Sequence, residues 1–227
     1  MQKHFRTLFI FGAGGHGREL AWLASEIWPQ NHEIRFLVDE ERHLRPPVNG
    51  IPVPLLESVE IDDDSRYVVA IGDPLARHRI SNAIAVRGAL AATLIHPRAE
   101  TSNLVSIGTG AVICAGTVVT TNVTIGQHVH VNIGATVSHD VTIGQFSTIS
   151  PGVHISGHVH IGPDVFIGAG ATVINGSEDL PLVIGAGATI AAGSCVIRSV
   201  PPGVLIAGVP GVQKISRADR PQPKGRP

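Results

Sequence analysis

From Ile107 the chain repeats a six-residue pattern whose first position is always isoleucine or valine. The pattern runs without a gap through twelve segments, from IGTGAV at 107–112 to VINGSE at 173–178. The fifth position is always small or β-branched, and glycine often stands second or fourth, where a turn needs an unusual backbone angle. The period slips after Val173. It then resumes with the first positions Ile184, Ile190 and Val196.

A six-residue period predicts short strands joined by turns, three of which close one triangular coil of a parallel β-helix. A solenoid exposes strand edges at its ends, so we expect the N-terminal domain to cover one end and the segment 198–215 the other. The segment NGSEDLP (Asn175–Pro181), where the register slips, is expected to loop out of the coil as either a functional loop or a surface insertion. The Pro-rich, charged tail 216–227 is predicted to be disordered.

The first part of the chain follows a different pattern. It reads as a buried strand, a glycine loop and an amphipathic helix, then a second strand ending at Asp39, and a third strand closed by Gly72 and followed by a second helix. This order predicts a small Rossmann-like α/β domain. We therefore divide the chain into an α/β domain at 1–95 and a β-helix with its C-terminal cap at 96–215.

The glycine loop fits a nucleotide-binding fingerprint. Gly12, Gly14 and Gly17 match G-x-G-x-x-G between a strand and a helix, and Asp39 follows 22 residues after Gly17. Backbone N–H groups at the helix start can hold a pyrophosphate. Because the domain is half the usual size, we expect a nucleotide diphosphate rather than a nicotinamide, although a purely structural use of the glycines stays open. The expected contacts are Gly12, Gly14, Gly15, His16, Asp39 and Gly72.

Composition narrows the function classes. The chain has 227 residues, of which 43% are hydrophobic and 15% charged, with a formal charge of −1. It can bury a core, and it has no basic surface to attract nucleic acid or anionic lipid. No apolar run approaches the roughly 20 residues that span a bilayer. Cys114 and Cys195 are too few for a disulfide framework, so we expect a cytoplasmic protein with reduced thiols.

His139 and Asp140 stand out in NIGATVSHDVTIG (132–144), where the other residues are mostly small or aliphatic. They occupy the third and fourth positions of their segment, which predicts a turn outside the packed core. An imidazole there can take a proton, and a carboxylate beside it can fix the tautomer and stabilise the imidazolium.

The two halves together resemble the bacterial sugar O-/N-acyltransferases of the sialic-acid acetyltransferase (NeuD/PglD-like) family, within the hexapeptide-repeat acyltransferases. The resemblance covers residues 5–215. Besides the strand ending in Asp39, it rests on the motifs GAGGHG (12–17), AIGD (70–73), NIGATVSHD (132–140) and IAGVP (206–210). It implies a left-handed parallel β-helix and a homotrimer whose active sites lie at subunit interfaces.

The resemblance also implies roles for individual residues. The N-terminal domain would hold a nucleotide-linked amino sugar and the β-helix acetyl-CoA. His139 would be the general base, with Asp140 orienting its ring and Asn132 near the same site. For acyl transfer of this kind, a backbone N–H from the region of Gly152 is expected to stabilise the oxyanion of the intermediate. The residues expected to bind acetyl-CoA are Thr148, Gly152, Gly157, Ala169 and Gly187. Many family members carry a histidine where this chain has Thr148, which puts that contact in question.

Other histidines on the repeat raise the alternative of a metal site, as in hexapeptide carbonic anhydrases. They are His128, His130, His154, His158 and His160. One coil has 18 residues, and no two of these five are 18 apart, so we expect no metal site and place most of them at solvent or at the trimer interface.

We favour an acetyl-CoA-dependent N-acetyltransferase acting on a nucleotide-linked amino sugar for bacterial surface glycans. The alternatives are an O-acetyltransferase for a sialic-acid-type sugar, which would use the same histidine, and a non-catalytic nucleotide-sugar-binding trimer. A solenoid that serves only as a scaffold or an ice-binding surface is a further, minor possibility.

Overall fold

The computed structural model describes residues 5–28 and 32–214, so the tail predicted to be disordered lies outside the described residues. The N-terminal domain contains one parallel sheet, sheet A, with strand order β2-β1-β3-β4. Its elements are β1 (Thr7–Phe11), α1 (Gly15–Ile27), β2 (Glu33–Leu37), β3 (Ser65–Val69), α2 (Pro74–Ala85) and β4 (Leu90–Ala91). No helix within the described part of the chain is long and apolar enough to cross a membrane.

Close packing explains the third glycine of the fingerprint. Every residue of β1 is buried, and α1 buries Leu20 and Leu23 against the sheet. A side chain at Gly17 would collide with the carbonyl group of Gly12. Gly17 therefore lets the helix approach the strand. At the second helix, the carboxylate of Asp73 caps the N-terminus by accepting from the Ala76 N–H at 2.7 Å.

The rest of the chain is a left-handed parallel β-helix whose coils pass through three sheets in turn. Sheet B consists of β5 (Leu94–Ile95), β8 (Val112–Ile113), β11 (His130–Val131), β14 (Thr148–Ile149), β17 (Phe166–Ile167), β20 (Thr189–Ile190), β22 (Leu205–Ala207) and β23 (Val212–Lys214). Sheet C consists of β6 (Glu100–Thr101), β9 (Val118–Val119), β12 (Thr136–Val137), β15 (His154–Ile155), β18 (Thr172–Val173) and β21 (Cys195–Val196). Sheet D consists of β7 (Val105–Ile107), β10 (Val123–Ile125), β13 (Thr142–Ile143), β16 (Val159–Ile161) and β19 (Leu182–Ile184).

The first positions of the repeat stack inside the helix as the period predicts. Val131 pairs in register with Ile149, and both are fully buried. The β-helix also begins one coil before the regular pattern does, because Leu94–Ile95 already pairs with β8. The periodicity misses this coil since the exposed Thr101 stands where isoleucine or valine is expected.

The three corners of the coil differ in how they turn. The corner between sheets B and C uses glycine at the left-handed position: Gly116, Gly134, Gly152, Gly170 and Gly193. The C–D corner uses Asn122, Asp140 and His158 instead, with φ of 54°, 56° and 56°. Asparagine, aspartate and histidine tolerate this conformation better than most residues, but not without strain. The C–D corner therefore keeps polar side chains where glycine would suit the backbone.

The N-terminal domain packs on the outer face of sheet B and does not simply cover the end of the solenoid, as we had expected. The outward-facing Val112 and Cys114 belong to the same buried apolar cluster as Leu8 and Leu20. Covering a face buries more outward-facing side chains than covering an end. At the far end, β23 adds to β22 in antiparallel orientation.

Arg77 of α2 joins the two domains. Its side chain is fully buried, and its guanidinium group donates to backbone carbonyl groups of both domains. The acceptors are the carbonyl oxygens of Ile71 (2.6 Å), Gly72 (3.3 Å), His128 (3.1 Å), Phe146 and Ser147 (3.1 Å). Burial lowers the pKa of Arg77 to about 10, so the group stays charged at neutral pH. A charge held by five carbonyl groups fixes the relative orientation of the domains.

Candidate active site

His139 and Asp140 form a hydrogen-bonded pair at the C–D corner. His139 Nδ1 lies 2.8 Å from Asp140 Oδ2, and the side chains are 53% and 39% exposed. The other carboxylate oxygen accepts from Asn122 Nδ2 at 3.1 Å. The hydrogen bonds from His139 and Asn122 lower the pKa of Asp140. With an ionised carboxylate holding the proton on Nδ1, the lone pair of the neutral ring lies on Nε2 and points away from Asp140.

The next coil supplies two neighbours of this pair. Gly157 packs against the imidazole, so that a Cβ atom at position 157 would lie 2.6 Å from His139 Nε2. Its N–H has no acceptor within the described residues, although its carbonyl accepts from Gly176 N–H at 3.0 Å. The ring of His158 meets the ring of His139 edge to face at 5.2 Å. The spacings among the five other repeat histidines did not point to His158, but its distance of 18 residues, or one coil, from Asp140 is the signal that places it at the site.

The insertion Asn175–Pro181 lies at the same corner, one coil further along. It leaves the helix after β18 and rejoins it at β19, as predicted from the slipped register. The N–H of Leu182 returns to the carbonyl of His158 at 3.0 Å. Leu180 at its tip is 78% exposed. The insertion therefore borders the surface that contains His139.

A second candidate site is a pocket of about 330 Å³ at the carboxyl edge of sheet A. Gly12, Gly14 and Asp39 line it, so three of the predicted substrate contacts come together. Three basic side chains share this lining, although no spacing or motif in the sequence pointed to them: His43, Arg45 and Arg79. The positive charges of Arg45 and Arg79, beside a helix start without a side-chain cap, suit an anionic ligand such as a diphosphate.

His16 does not line this pocket. Its Nε2 lies 3.0 Å from His130 Nδ1 on sheet B, and its Nδ1 lies 3.1 Å from Glu19 Oε2. Burial lowers the pKa of His16, and that of the fully buried His130 still further. The expectation that His16 faces the ligand is corrected, because both ring nitrogens are engaged and the ring links the two domains. Gly15, its neighbour, begins α1 and also lies outside the pocket lining.

Thr148 and Asn132 also lie on sheet B beneath the N-terminal domain. Thr148 is 3% exposed and donates its hydroxyl to the Gly72 carbonyl at 2.7 Å. Within one chain this hydroxyl links the two domains and does not lie beside His139, and the predicted contact of Thr148 with acetyl-CoA stays a prediction. Asn132 is buried, and its Nδ2 donates to the Ile149 carbonyl at 2.8 Å. This hydrogen bond connects two successive coils, and Asn132 does not approach His139 within the chain.

The remaining predicted coenzyme contacts lie on different corners. Gly157 shares the C–D corner with His139, whereas Gly152 and Ala169 lie at the B–C corner. The N–H of Gly152 donates to the Ile133 carbonyl at 3.0 Å, so it cannot serve an oxyanion at His139, and that expectation is corrected. Ala169 is exposed. A single chain therefore brings only Gly157 next to His139.

Gly187 lies at the D–B corner and lines a groove of about 380 Å³ together with Gly72 and Asp73. The groove runs between the two domains, with Phe166 on the β-helix side. Gly72 was predicted to contact the sugar substrate and Gly187 to contact acetyl-CoA, yet both border this groove rather than the glycine-loop pocket.

Two of the other histidines depart from the expected surface positions. His130 is 1% exposed, and His128 stacks against Phe146 at 4.7 Å under the N-terminal domain. Burial lowers the pKa of His128 to about 4. His154 and His160 lie outward on sheets C and D beside threonine hydroxyls. The N-terminal domain buries the histidines on the sheet B side and leaves those on sheets C and D exposed. The repeat pattern does not reveal which sheet the domain covers.

The glycine-loop pocket and His139 lie on opposite sides of one chain. The N-terminal domain covers sheet B, which is one face of the triangular helix, and the C–D corner is the edge opposite that face. The contact of Arg77 with the coil at Phe146 keeps the domain on its own side. A ligand in the pocket of one chain therefore faces away from the His139 of that chain.

A hexapeptide β-helix with an imidazole–carboxylate pair at a corner, joined to a glycine-loop α/β domain, defines a hexapeptide-repeat acyltransferase. Comparison with protein families agrees with this class. The PglD N-terminal domain model matches residues 7–84, and the bacterial transferase hexapeptide (six repeats) model matches residues 140–175.

Individual relatives extend the match to nearly the whole chain. GDP-perosamine N-acetyltransferase of Escherichia coli O157:H7 is 33% identical over 214 residues, which cover 88% of this chain and 93% of the relative. The acetyltransferase domain of PglB from Neisseria gonorrhoeae FA1090, solved with acetyl coenzyme A, is 35% identical with a TM-score of 0.82 and covers 92% of this chain and 100% of its own. PerB from Caulobacter crescentus, solved with CoA and GDP-perosamine, is 29% identical with a TM-score of 0.81 and covers 92% of this chain and 97% of its own. The chain belongs to the NeuD/PglD-like family of sugar acyltransferases.

Proposed function

We propose that the protein transfers an acetyl group from acetyl-CoA to the amino group of a nucleotide-linked amino sugar. The observation that carries this proposal is the orientation of His139. Asp140 holds Nδ1 at 2.8 Å, which leaves Nε2 as an exposed base next to Gly157. Acyl transfer to an amine needs a neutral nucleophile, and an imidazole is suited to remove its proton near neutral pH.

The reaction proceeds by direct transfer. The sugar amine attacks the thioester carbonyl while His139 Nε2 takes its proton, and Asp140 stabilises the imidazolium that forms. Collapse of the tetrahedral intermediate forms the amide and expels the coenzyme as a thiolate, to which the imidazolium returns the proton. No covalent enzyme intermediate is required. Burial raises the pKa of Cys114 to about 12, which makes this thiol unsuitable as a nucleophile.

Gly157 supports the intermediate in this proposal. Its N–H lacks an acceptor within the described residues and lies on the coil that packs against the His139 ring. A backbone N–H held by a rigid coil can stabilise the developing oxyanion without rearrangement. Gly157 thus replaces Gly152 as the expected donor.

We assign the nucleotide to the glycine-loop pocket. The N-cap Gly14 at the start of α1, together with Arg45 and Arg79, offers a backbone donor and positive charge to a diphosphate. The relatives with GDP-perosamine in their names or complexes support a nucleoside diphosphate linked to an amino sugar as the substrate class. We place the reaction in the cytoplasm, where reduced cysteines such as Cys114 and Cys195 are usual.

We further propose a homotrimer in which the pocket of one subunit serves His139 of its neighbour. The opposite placement of the two sites supports this arrangement, since neither site can complete the other within one chain. Exposed aliphatic side chains at Ile133, Ile174 and Val183 provide apolar surface for subunit contact.

Complementation between inactive subunits tests the proposal. His139→Ala removes the base, and Arg79→Glu reverses a charge in the pocket. Subunits of the two variants, mixed at equal amounts during refolding, should regain about a quarter of the wild-type sites if each site spans two subunits of a closed trimer. No regained activity would place both functions in one chain. Parallel assays with amino and hydroxy sugars separate N-acetylation from O-acetylation, and activity with neither would favour a non-catalytic binding protein.

A further inference from the structure

Two histidines from successive coils face the same carboxylate at the C–D corner. His139 Nδ1 lies 2.8 Å and His158 Nε2 lies 3.9 Å from Asp140 Oδ2. One ligand atom from each of these three side chains lies within 4.8 Å of the other two. Two imidazoles and a carboxylate form a set of ligands that zinc commonly uses in proteins.

The distances are close to those of a tetrahedral site. With metal–ligand bonds of about 2.0–2.1 Å, two ligand atoms of a tetrahedron lie roughly 3.3 Å apart. The two distances to the Asp140 carboxylate, 2.8 Å and 3.9 Å, bracket this value, and the ligand atoms of the two histidines lie within 4.8 Å of each other, so side-chain rotations can bring all three to one ion. Asp140 and His158 are 18 residues apart, and both have the left-handed backbone conformation. The stacked coils therefore fix their relative positions.

The surroundings also suit a bound ion. Asn122 Nδ2 donates to the second oxygen of Asp140 at 3.1 Å, which orients the carboxylate. The side chains of His139 and His158 are 53% and 28% exposed, so that water can complete the coordination. In a second group within the described residues, made by Asp39, Glu40 and His43, all three residues are exposed, and they belong to neighbouring positions of one loop. It provides a comparison site.

We propose that His139, Asp140 and His158 bind a divalent transition ion of the zinc type, and that the ion reversibly inhibits the transferase. The inhibition rests on the proposed function, whereas the binding does not. A neutral imidazole has one lone pair for the metal and one N–H. If Nε2 coordinates, its lone pair is occupied, and if Nδ1 coordinates, the proton moves to Nε2. In either case His139 cannot accept the proton of the amine.

Direct titration of metal-free protein with ZnCl₂, followed by calorimetry, tests the binding. We expect one ion per chain at this site, and His158→Gln should weaken its binding at least tenfold. His43→Gln in the comparison site and His160→Gln on sheet D are matched controls and should leave this affinity unchanged. An unchanged affinity in His158→Gln, or no binding below about 1 mM, would overturn the proposal.

Activity assays separate this proposal from the proposed function. Zinc should inhibit the wild-type enzyme at the concentrations at which it binds, EDTA should restore activity, and His158→Gln should require at least tenfold more zinc relative to its own metal-free rate. Binding at the site without inhibition would contradict both the inhibition and the role of His139 as base. Loss of activity in His139→Ala, together with absent zinc binding, would contradict only the metal site.

Discussion

Gly157 lies one coil beyond His139 and packs directly against its imidazole ring. A methyl group at position 157 would lie 2.6 Å from Nε2 and 2.9 Å from Nδ1 of His139. The ring can keep its hydrogen bond to Asp140 only because no side chain is present there. The base and the proposed oxyanion donor are therefore parts of one packed contact between successive coils.

Replacing Gly157 with alanine tests this contact. The added methyl group must displace the His139 ring from its position beside Asp140, and we expect kcat to fall by a factor on the order of 10². Thr121→Ala changes the equivalent position one coil before His139 and serves as the control. Steady-state kinetics, with thermal unfolding to confirm a folded protein, measure the effect. Equal turnover in Gly157→Ala and wild type would show that the ring position is not required.

Removing the base gives the second prediction. His139→Ala should lower kcat by a factor on the order of 10²–10⁴ while nucleotide binding at the glycine-loop pocket is retained. Asp140→Asn keeps the shape of the side chain but removes its charge, and we expect about a tenfold decrease. Turnover and calorimetric binding of the nucleotide sugar measure the two effects separately. Wild-type turnover in His139→Ala would rule out the proposed mechanism.

The third prediction concerns Arg77. Arg77→Met leaves the buried carbonyl group of Phe146 without its guanidinium donor, whereas the Ser147 carbonyl keeps the His130 N–H. Because a buried charge and its hydrogen bonds to both domains are lost together, the free energy of unfolding should fall by about 3–5 kcal/mol. Arg87 also donates to two carbonyl groups, those of Leu56 and Val59, but it is exposed. Arg87→Met should therefore change stability by less than about 1 kcal/mol. Chemical denaturation compares the variants, and equal losses would show that the buried arginine does not fix the domain interface.

The fourth prediction is acid destabilisation through His128. Burial lowers its pKa to about 4 in the folded protein, whereas the unfolded chain has the ordinary value near 6.5. Between these pH values the unfolded state binds more protons than the folded state. The stability that this difference contributes is therefore fully present above about pH 6.5 and is lost as the pH falls towards 4. His128→Asn removes this titration at a left-handed position that asparagine tolerates.

We expect wild type to lose about 1–2 kcal/mol through this residue between pH 7.5 and pH 5. His128→Asn should show a smaller decrease in Tm over that interval, by a few degrees. His160→Asn, which alters an exposed histidine, is the control. A pH dependence in His128→Asn as steep as that of wild type would assign the acid sensitivity to other groups, of which the buried His16 and His130 are the first candidates.

The sequence determined the parts of the molecule that repeat or pair locally. A six-residue period with inward isoleucine and valine can bury its apolar side chains only by stacking coils, so residues such as Val131 and Ile149 specify the β-helix. His139 and Asp140 are neighbours in the chain, and their position in the repeat places them at a turn. Their hydrogen bond could therefore be expected from the sequence. The glycine loop likewise specified the strand-to-helix turn that lines the pocket.

Only the tertiary structure decided which surface each residue faces. The N-terminal domain covers sheet B, because the outward-facing Val112 and Cys114 complete its apolar core. This packing of the domain on sheet B buries Thr148 and His130. It also turns His16 towards the β-helix and places the glycine-loop pocket on the side opposite His139. Contacts of this kind join residues more than 70 positions apart, such as Thr148 and Gly72. A repeat fixes which side chains point outward, but the packing of a second domain fixes what covers them.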